Sequence, residues 1–468
     1  MSTDSTEFAR ILGRGDVLAV AFGAMIGFGW IVLTGDFLSD AGTLGAALAF
    51  VIGGLVVVLV GLTYAELVTA MPRAGGEHNY VLRAIGSRAA FVTSWALVLG
   101  YVSVVAFEAV ALPQTMLFLF PDMLAGRMWS IAGYDVYATW TAVGVVSAVV
   151  MTGLNYVGVR PSAVFQTIAV LFLAAVGVAL LVGSFVGGDT ANMQPLFTGG
   201  VAGIISVLVA TPFLFVGFDV IPQSAEEIDL PLRQIGQLLV VSVLLAILWY
   251  VVIMLTVGSA LPADVLADSE LAAADGMQAL WSSDAMATVL VLGGVAGILT
   301  SWNGFLIGAS RLMYAMGATA MLPRWFARVH PRYRTPSNAL LFIGALSVLA
   351  PLFGEEMLGW LVTAGGLSLV IAYFMVSTSF VLLRRREPGM ERPFRLGGGM
   401  VIGPLAALCS LGLAVLYLPG MPAALGAPEW IIIAGWWVLG AVFFLRVPHV
   451  PAGPDALQRI EAIAANPG

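Results

Sequence analysis

Two carboxylates stand inside long apolar runs of this sequence, and neither has a basic residue three or four positions away. Glu108 lies in Tyr101-Val102-Ser103-Val104-Val105-Ala106-Phe107-Glu108-Ala109-Val110. Asp219 lies in Thr211-Pro212-Phe213-Leu214-Phe215-Val216-Gly217-Phe218-Asp219-Val220-Ile221-Pro222. In hydrocarbon such a group must be paired, hydrated, protonated or set against a helix N-terminus. Either acid suits an ammonium contact or a proton relay. The bland readings are a distant ion-pair partner for Glu108 and a helix-capping role for Asp219. Glu66, near the end of its own run, reads as a gate or a structural network rather than a solute contact.

Glycines mark where the backbone itself offers polar groups. Gly23, Gly27 and Gly29 fall within seven residues, and Gly27 lies near the middle of its apolar run. Unwinding a helix there exposes N–H and C=O groups, which is tolerable only against protein, solute or a wet cavity. Ile26, Gly27, Phe28, Gly29 and Trp30 form this first candidate break, and the Phe28, Gly29 and Trp30 amides would open an outer half-helix that attracts an anion. The same spacing also serves ordinary packing of small residues. Gly217, between Pro212 and Pro222, marks a second candidate break among Phe213, Phe215 and Val216, with an inner half-helix expected from about Phe218. Phe213 is the candidate gate. Thr300, Ser301 and Asn303 form a polar cluster that suits either a sodium ion or interhelical hydrogen bonds.

The elements that must position these residues follow from composition. Of 468 residues, 60% are hydrophobic and 10% charged, and mean hydropathy is +0.98. A soluble domain carries about 25% charged residues, so lipid is the solvent for much of this surface. One cysteine and three dispersed histidines offer no disulfide framework or metal cluster, and no cofactor is implied. A crossing helix needs about 20 apolar residues. Twelve runs qualify: 17–38, 44–70, 90–120, 137–154, 160–186, 200–232, 235–260, 286–313, 339–354, 358–382, 400–420 and 428–446. The first reads as a retained helix rather than a signal peptide. All 20 basic residues are arginine, and with the N-terminus inside, 19 of them fall on the cytoplasmic side, Arg127 being the exception. Both termini are then cytoplasmic in a multi-pass protein of the cell inner or plasma membrane.

The two breaks fall in runs one and six. That odd offset gives units 1–5 and 6–10 opposite orientation, the inverted repeat common in secondary transporters. The expected organisation is a segment 1–16, a first five-helix repeat 17–195, a second 196–385, helices 11 and 12 with their loop in 386–450, and a tail 451–468. No repeated filter suggests a channel, and no Walker A sequence suggests an ATP-driven pump.

Over roughly residues 12–450 the chain resembles the amino acid–polyamine–organocation permeases. The resemblance rests on Gly23-Ala24-Met25-Ile26-Gly27-Phe28-Gly29, on Tyr64-Ala65-Glu66-Leu67 through Pro72-Arg73-Ala74-Gly75-Gly76-Glu77-His78-Asn79-Tyr80, on Phe215 to Asp219 with Ala225-Glu226-Glu227 and Pro231, and on Gly308 to Met316 with Leu322-Pro323. It implies an all-α fold of twelve spans with interrupted helices 1 and 6 and alternating access. It implies that amides from Gly27 to Trp30 hold a substrate carboxylate, that carbonyls from Phe213 to Val216 hold its ammonium group, and that the acid matched by Asp219 couples or gates. Two departures stand out. Some proton-coupled relatives carry a lysine in helix 5; the corresponding stretch is Ile168 to Leu173, and the chain has no lysine. Glu77-His78 replaces the more usual small or aromatic residues, and His78 reads as a loop surface residue. The resulting expectation is an importer of an amino acid or related amine, proton-coupled through Glu108 and Asp219. The alternatives are an exchanger of amino acids or polyamines, a sodium symporter, and a nontransporting sensor or scaffold.

Overall fold

A computed structural model describes residues 10–27, 29–421 and 423–465, the side chains of 159–161 excepted. The first span is broken. Helix α1 (Arg14–Met25) stops where Ile26 leaves helical geometry, and the chain resumes as α2 (Gly29–Val32) and α3 (Thr34–Ala41). Phe28, expected at this break, lies outside the described residues. Gly42 turns the chain at φ +74°, a conformation that favours glycine, into α4 (Thr43–Ala70). Gly75 and Gly76, also at positive φ, fold the next segment back under the bundle as α5 (Glu77–Ala84). There follow α6 (Ser87–Leu119), a hairpin of β1 (Arg127–Ile131) and β2 (Tyr134–Tyr137), α7 (Ala138–Val157) and α8 (Val159–Gly187).

The sixth span repeats the interruption. Helix α9 (Gly200–Leu214) runs through Pro212 without breaking. The hydroxyl of Thr211 donates to Leu208 O, the acceptor that the proline leaves without an N–H. The helix ends at Phe215, and Gly217, at φ +131°, carries the turn. The expected inner half-helix is reduced to α10 (Val220–Gln223) and one 3-10 turn at Ala225–Glu227.

The remainder comprises α11 (Leu232–Ala260), α12 (Ala263–Ala267), α13 (Ala272–Trp281), α14 (Asp284–Ala318), α15 (Ser337–Leu349), α16 (Met357–Arg386), α17 (Gly399–Val415), α18 (Ala427–Phe444) and α19 (Ala456–Ala465). Among the described residues, eight helices are long and apolar enough to cross a membrane. With the shorter α9, α15 and α17 and the broken first span, they occupy the twelve positions read from the sequence.

Burial separates centre from rim. The apolar stretch of α6 is wholly buried, whereas that of α18 is 17% buried. Ile168 and Leu171 on α8, Leu248 on α11, Leu408 on α17 and Ile431 on α18 form part of an exposed apolar belt, as lipid contact requires. Both described chain ends meet one end of the bundle. Leu12 bridges Ile228, and Gly86 bridges Pro451. The hairpin, α12 and α13 lie at the other end, where Trp129 Nε1 donates to Leu352 O.

Candidate functional site

The two breaks meet backbone to backbone. A Cβ on Gly217 would lie 2.8 Å from Met25 N, so only glycine lets the sixth span press this closely on the first. Tyr250 of α11 ties them: its hydroxyl lies 3.0 Å from Met25 O and 3.3 Å from Leu214 O, the last helical carbonyls before each break. Its ring stacks on Phe50 at 4.7 Å and meets the edge of Phe215 at 5.4 Å. Helix ends strand carbonyls of this kind, and Tyr250 supplies the donor they lack.

Beside this junction lies a narrow cavity of about 20 Å³, room for about one water in this arrangement. The first span contributes Ala24, Met25, Gly27 and Gly29, and α6 contributes Val104, Phe107 and Glu108. Phe213 and Leu214 of α9, Tyr250, and Ser301 and Phe305 of α14 complete it. Glu108 is 1% exposed. A Cβ at Gly27 would collide with Glu108 Oε1 and lie 2.8 Å from Ser301 Oγ, so Gly27 is the space in which the carboxylate and hydroxyl face the broken backbone. Phe213 packs edge-on against Phe107 at 5.5 Å and covers one wall. The site offers a carboxylate, a hydroxyl, polar backbone and an aromatic cover within an apolar shell, a combination suited to a small zwitterion or amine.

Gly27, Gly29, Glu108 and Phe213 thus line one cavity. Ile26, Trp30, Phe215, Val216 and Gly217 are buried behind them: Trp30 meets Trp249 edge-on at 5.3 Å, and Ile26 O faces Gly297. Asp219 sits apart from the cavity, toward the end that gathers the described termini. Its Oδ1 accepts from Gly217 N at 2.9 Å, and the Tyr101 hydroxyl lies beside it, so turn amides and a tyrosine hold it rather than the helix end expected from the sequence. Glu66 is farther still. It accepts from Arg384 Nε at 2.8 Å and from Leu396 N at 2.8 Å, and pairs with Arg392 at 3.0 Å, joining α4 to the segment after α16.

The polar cluster on α14 divides. Ser301 lines the cavity, while Thr300 donates to Gly23 O at 3.1 Å. Asn303 joins a buried amide network: it donates to Gln166 Oε1 and accepts from Asn155 and Ser162. Gln166 Nε2 in turn lies 3.1 Å from both Ala19 O and Thr300 O. On α8, Gln166 supplies the hydrogen bond to the α1 backbone, and Val170, within the stretch Ile168 to Leu173, packs beside it on Gly23. Sequence reading also missed Tyr250 and Glu77, whose partners all lie far away in the chain.

His78 is not at the surface. It is fully buried on α5, between Ser94 Oγ and Thr319 Oγ1, each at 3.0 Å. Burial pushes its imidazole down to about 4. Among the described residues no group of three or more His, Cys, Asp or Glu gathers to hold a metal.

A family model described as amino acid permease matches residues 16–445. The chain is 28% identical over 449 residues to the branched-chain amino acid permease BcaP of Bacillus subtilis (strain 168), covering 93% of this chain and 92% of that protein. It is 26% identical over 456 residues to the methylthioribose transporter of the same organism, covering 94% of each chain. It is 26% identical over 415 residues to the aspartate-proton symporter of that organism, covering 86% of this chain and 78% of that protein.

Proposed function

The chain belongs to the amino acid permease family, membrane transporters rather than enzymes, and on that premise we propose that it imports an amino acid or related amine by alternating access, coupled to protons. The observation that carries this reading is the pair of interrupted spans meeting beside a cavity that holds one carboxylate, Glu108. The substrate carboxylate lies against the first amides of α2, at Gly29 and Trp30, where no preceding turn supplies acceptors. Its ammonium group faces the carbonyls that end α9, with Glu108 and Ser301 alongside. Phe213 covers the bound solute and swings aside as the site opens. Glu108 and Asp219 carry protons, and the movement of Asp219 with the Gly217 turn links its protonation to the sixth span. Both termini are cytoplasmic in a plasma or inner membrane, with the arginine-rich end inside.

Proton coupling is preferred to sodium coupling because Gln166 already donates to Ala19 O and Thr300 O, carbonyls that a sodium ion between α1 and α14 would need. The aspartate-proton symporter among the relatives is a precedent for the coupling ion. The test is uptake of labelled amino acids and polyamines into proteoliposomes under imposed pH and sodium gradients. Saturable accumulation driven by an inward proton gradient is the expected result. Strict dependence on internal solute would replace this reading with exchange, and binding without movement would make the chain a sensor.

A further inference from the structure

Below the cavity, toward the end that gathers the described termini, a second set of acidic and hydroxyl groups is sealed inside the protein. Glu77 comes from α5, which lies between the spans, and Asp219 and Gln223 come from the broken sixth span. All three are fully buried. Tyr64 of α4, Tyr80 of α5, Tyr101 of α6 and Tyr373 of α16 close around them. The rings of Tyr64, Phe218 and Tyr373 touch, at 5.2, 5.6 and 6.3 Å between centroids. Gly76, at φ +27°, packs on Pro222 and holds α5 against this segment.

The hydrogen bonding is asymmetric in the same way on both acids. Gln223 Nε2 donates to Glu77 Oε2, and Gly217 N donates to Asp219 Oδ1. Each carboxyl therefore has one oxygen fixed as an acceptor. The other oxygens, Glu77 Oε1 and Asp219 Oδ2, accept no close hydrogen bond, although the Tyr64 hydroxyl approaches Glu77 and the Tyr101 hydroxyl approaches Asp219; Gln223 Oε1 and the hydroxyls of Tyr80 and Tyr373 have no partner. A carboxylic acid places its hydrogen on the oxygen that is not already accepting.

No basic side chain among the described residues faces this set in a form that compensates two negative charges. His78 on α5 is neutral, between Ser94 and Thr319. Arg311 of α14 is engaged with Glu227, Nε to Oε1 at 2.7 Å, in the 3-10 turn after α10. Burial first, and then the charge of Asp219, push the Glu77 carboxyl well above the usual carboxylate range. Two carboxylates sharing such a site cannot both ionise without a large penalty, and they titrate as a unit.

We propose that Glu77 and Asp219 form a carboxyl pair that binds one exchangeable proton, carried on Glu77 Oε1 or Asp219 Oδ2, and that its loss drives α5 away from the broken sixth span. The inference rests on the proton-coupled reading above and adds Glu77 as the partner that sets when Asp219 releases its proton. With the proton present, the pair is compatible with the packed arrangement of Gly76 on Pro222. With both carboxylates ionised, their repulsion acts across that contact.

The test is the pH profile of uptake in proteoliposomes, wild type against Glu77→Gln. Removing one charge of the pair lowers the affinity of Asp219 for its proton. The alkaline limb of the profile moves toward acid by about one pH unit or more. A limb that stays in place in folded, monodisperse Glu77→Gln protein overturns the pair. If wild-type uptake responds to a proton gradient while that limb stays fixed, the pair fails and the coupling reading stands. If wild-type uptake ignores the proton gradient, the coupling reading fails. Infrared difference spectroscopy of purified protein then tests the pair alone, through a protonated-carboxyl band that Asp219→Asn and Glu77→Gln each alter. The absence of that band in wild type overturns the proposal. Replacing sodium with choline leaves the wild-type profile in place; a displaced profile would assign the site to sodium and overturn it too. Should Glu77→Gln fail to fold, the same band and its titration in wild type decide the matter.

Discussion

Gly27→Ala is the sharpest perturbation of the cavity. The residue is not among those with positive φ, so alanine meets no backbone penalty there and the effect is steric. The added carbon would collide with Glu108 Oε1 and sit 2.8 Å from Ser301 Oγ and 3.0 Å from Ser301 Cβ. Those atoms belong to two helices at the packed centre, and neither side chain has a solvent-exposed end to swing into. The methyl group must therefore displace Glu108 or intrude on the solute. One extra methyl in a fitted pocket costs about 1–3 kcal/mol, or roughly 10–200-fold in affinity. Equilibrium binding of the best-transported solute to purified protein measures this directly. Gly153→Ala, whose added carbon meets nothing within 4 Å on α7, serves as the control and leaves affinity unchanged. Gly27→Ala combined with Ser301→Gly removes two of the three close contacts and recovers part of the loss. Affinity within twofold of wild type in Gly27→Ala would refute the placement of the solute at this break.

Two further outcomes follow from groups that hold the site in place. Tyr250→Phe removes the donor shared by Met25 O and Leu214 O, which lowers stability by about 1–3 kcal/mol and loosens both breaks; thermal melting with and without solute separates the two effects. His78 has its imidazole at about 4 when folded and near 6.5 when unfolded, so the unfolded chain binds the extra proton. Stability contributed by its neutral form is complete above pH 6.5 and is lost as pH falls toward 4, by about 3 kcal/mol across that window. Melting temperatures of wild type fall over this range, and those of His78→Gln fall less.

The parts of this architecture that could be read in the sequence are those whose signal is local. Gly27 and Gly29 point to a break because Gly217 marks a second one five runs later, and Glu108 stands out because its run offers no basic residue three or four positions away. Pro212 misled for the opposite reason. A proline is a strong local signal, yet Thr211 satisfies the exposed Leu208 O and the helix continues. His78 misled in the same way: its polar neighbours Glu77 and Asn79 read as loop, while the turn at Gly75 and Gly76 carries all three residues into the protein. Tyr250 could not have been singled out, since a tyrosine in an apolar helix is ordinary until the chain brings two stranded carbonyls to its hydroxyl.

Gln166 keeps the junction of α1, α8 and α14 free of charge. The amide joins α1, α8 and α14 through Ala19 O, Thr300 O and Asn303, and every group in that network is neutral at any physiological pH. A lysine in such a place would make the junction itself sensitive to protons, through burial of its charged form. With glutamine there, the junction holds equally well across the pH range, and on the proton-coupled reading proposed above the response to protons falls to the acids. Glu108 stands at the cavity, Asp219 at the turn below it, and Glu77 at the contact between α5 and the sixth span. On that reading, a proton leaving the cavity for the arginine-rich end would meet carboxyl groups on one side of the Gly217 turn and then the other, so the segment proposed to move would also carry the charge.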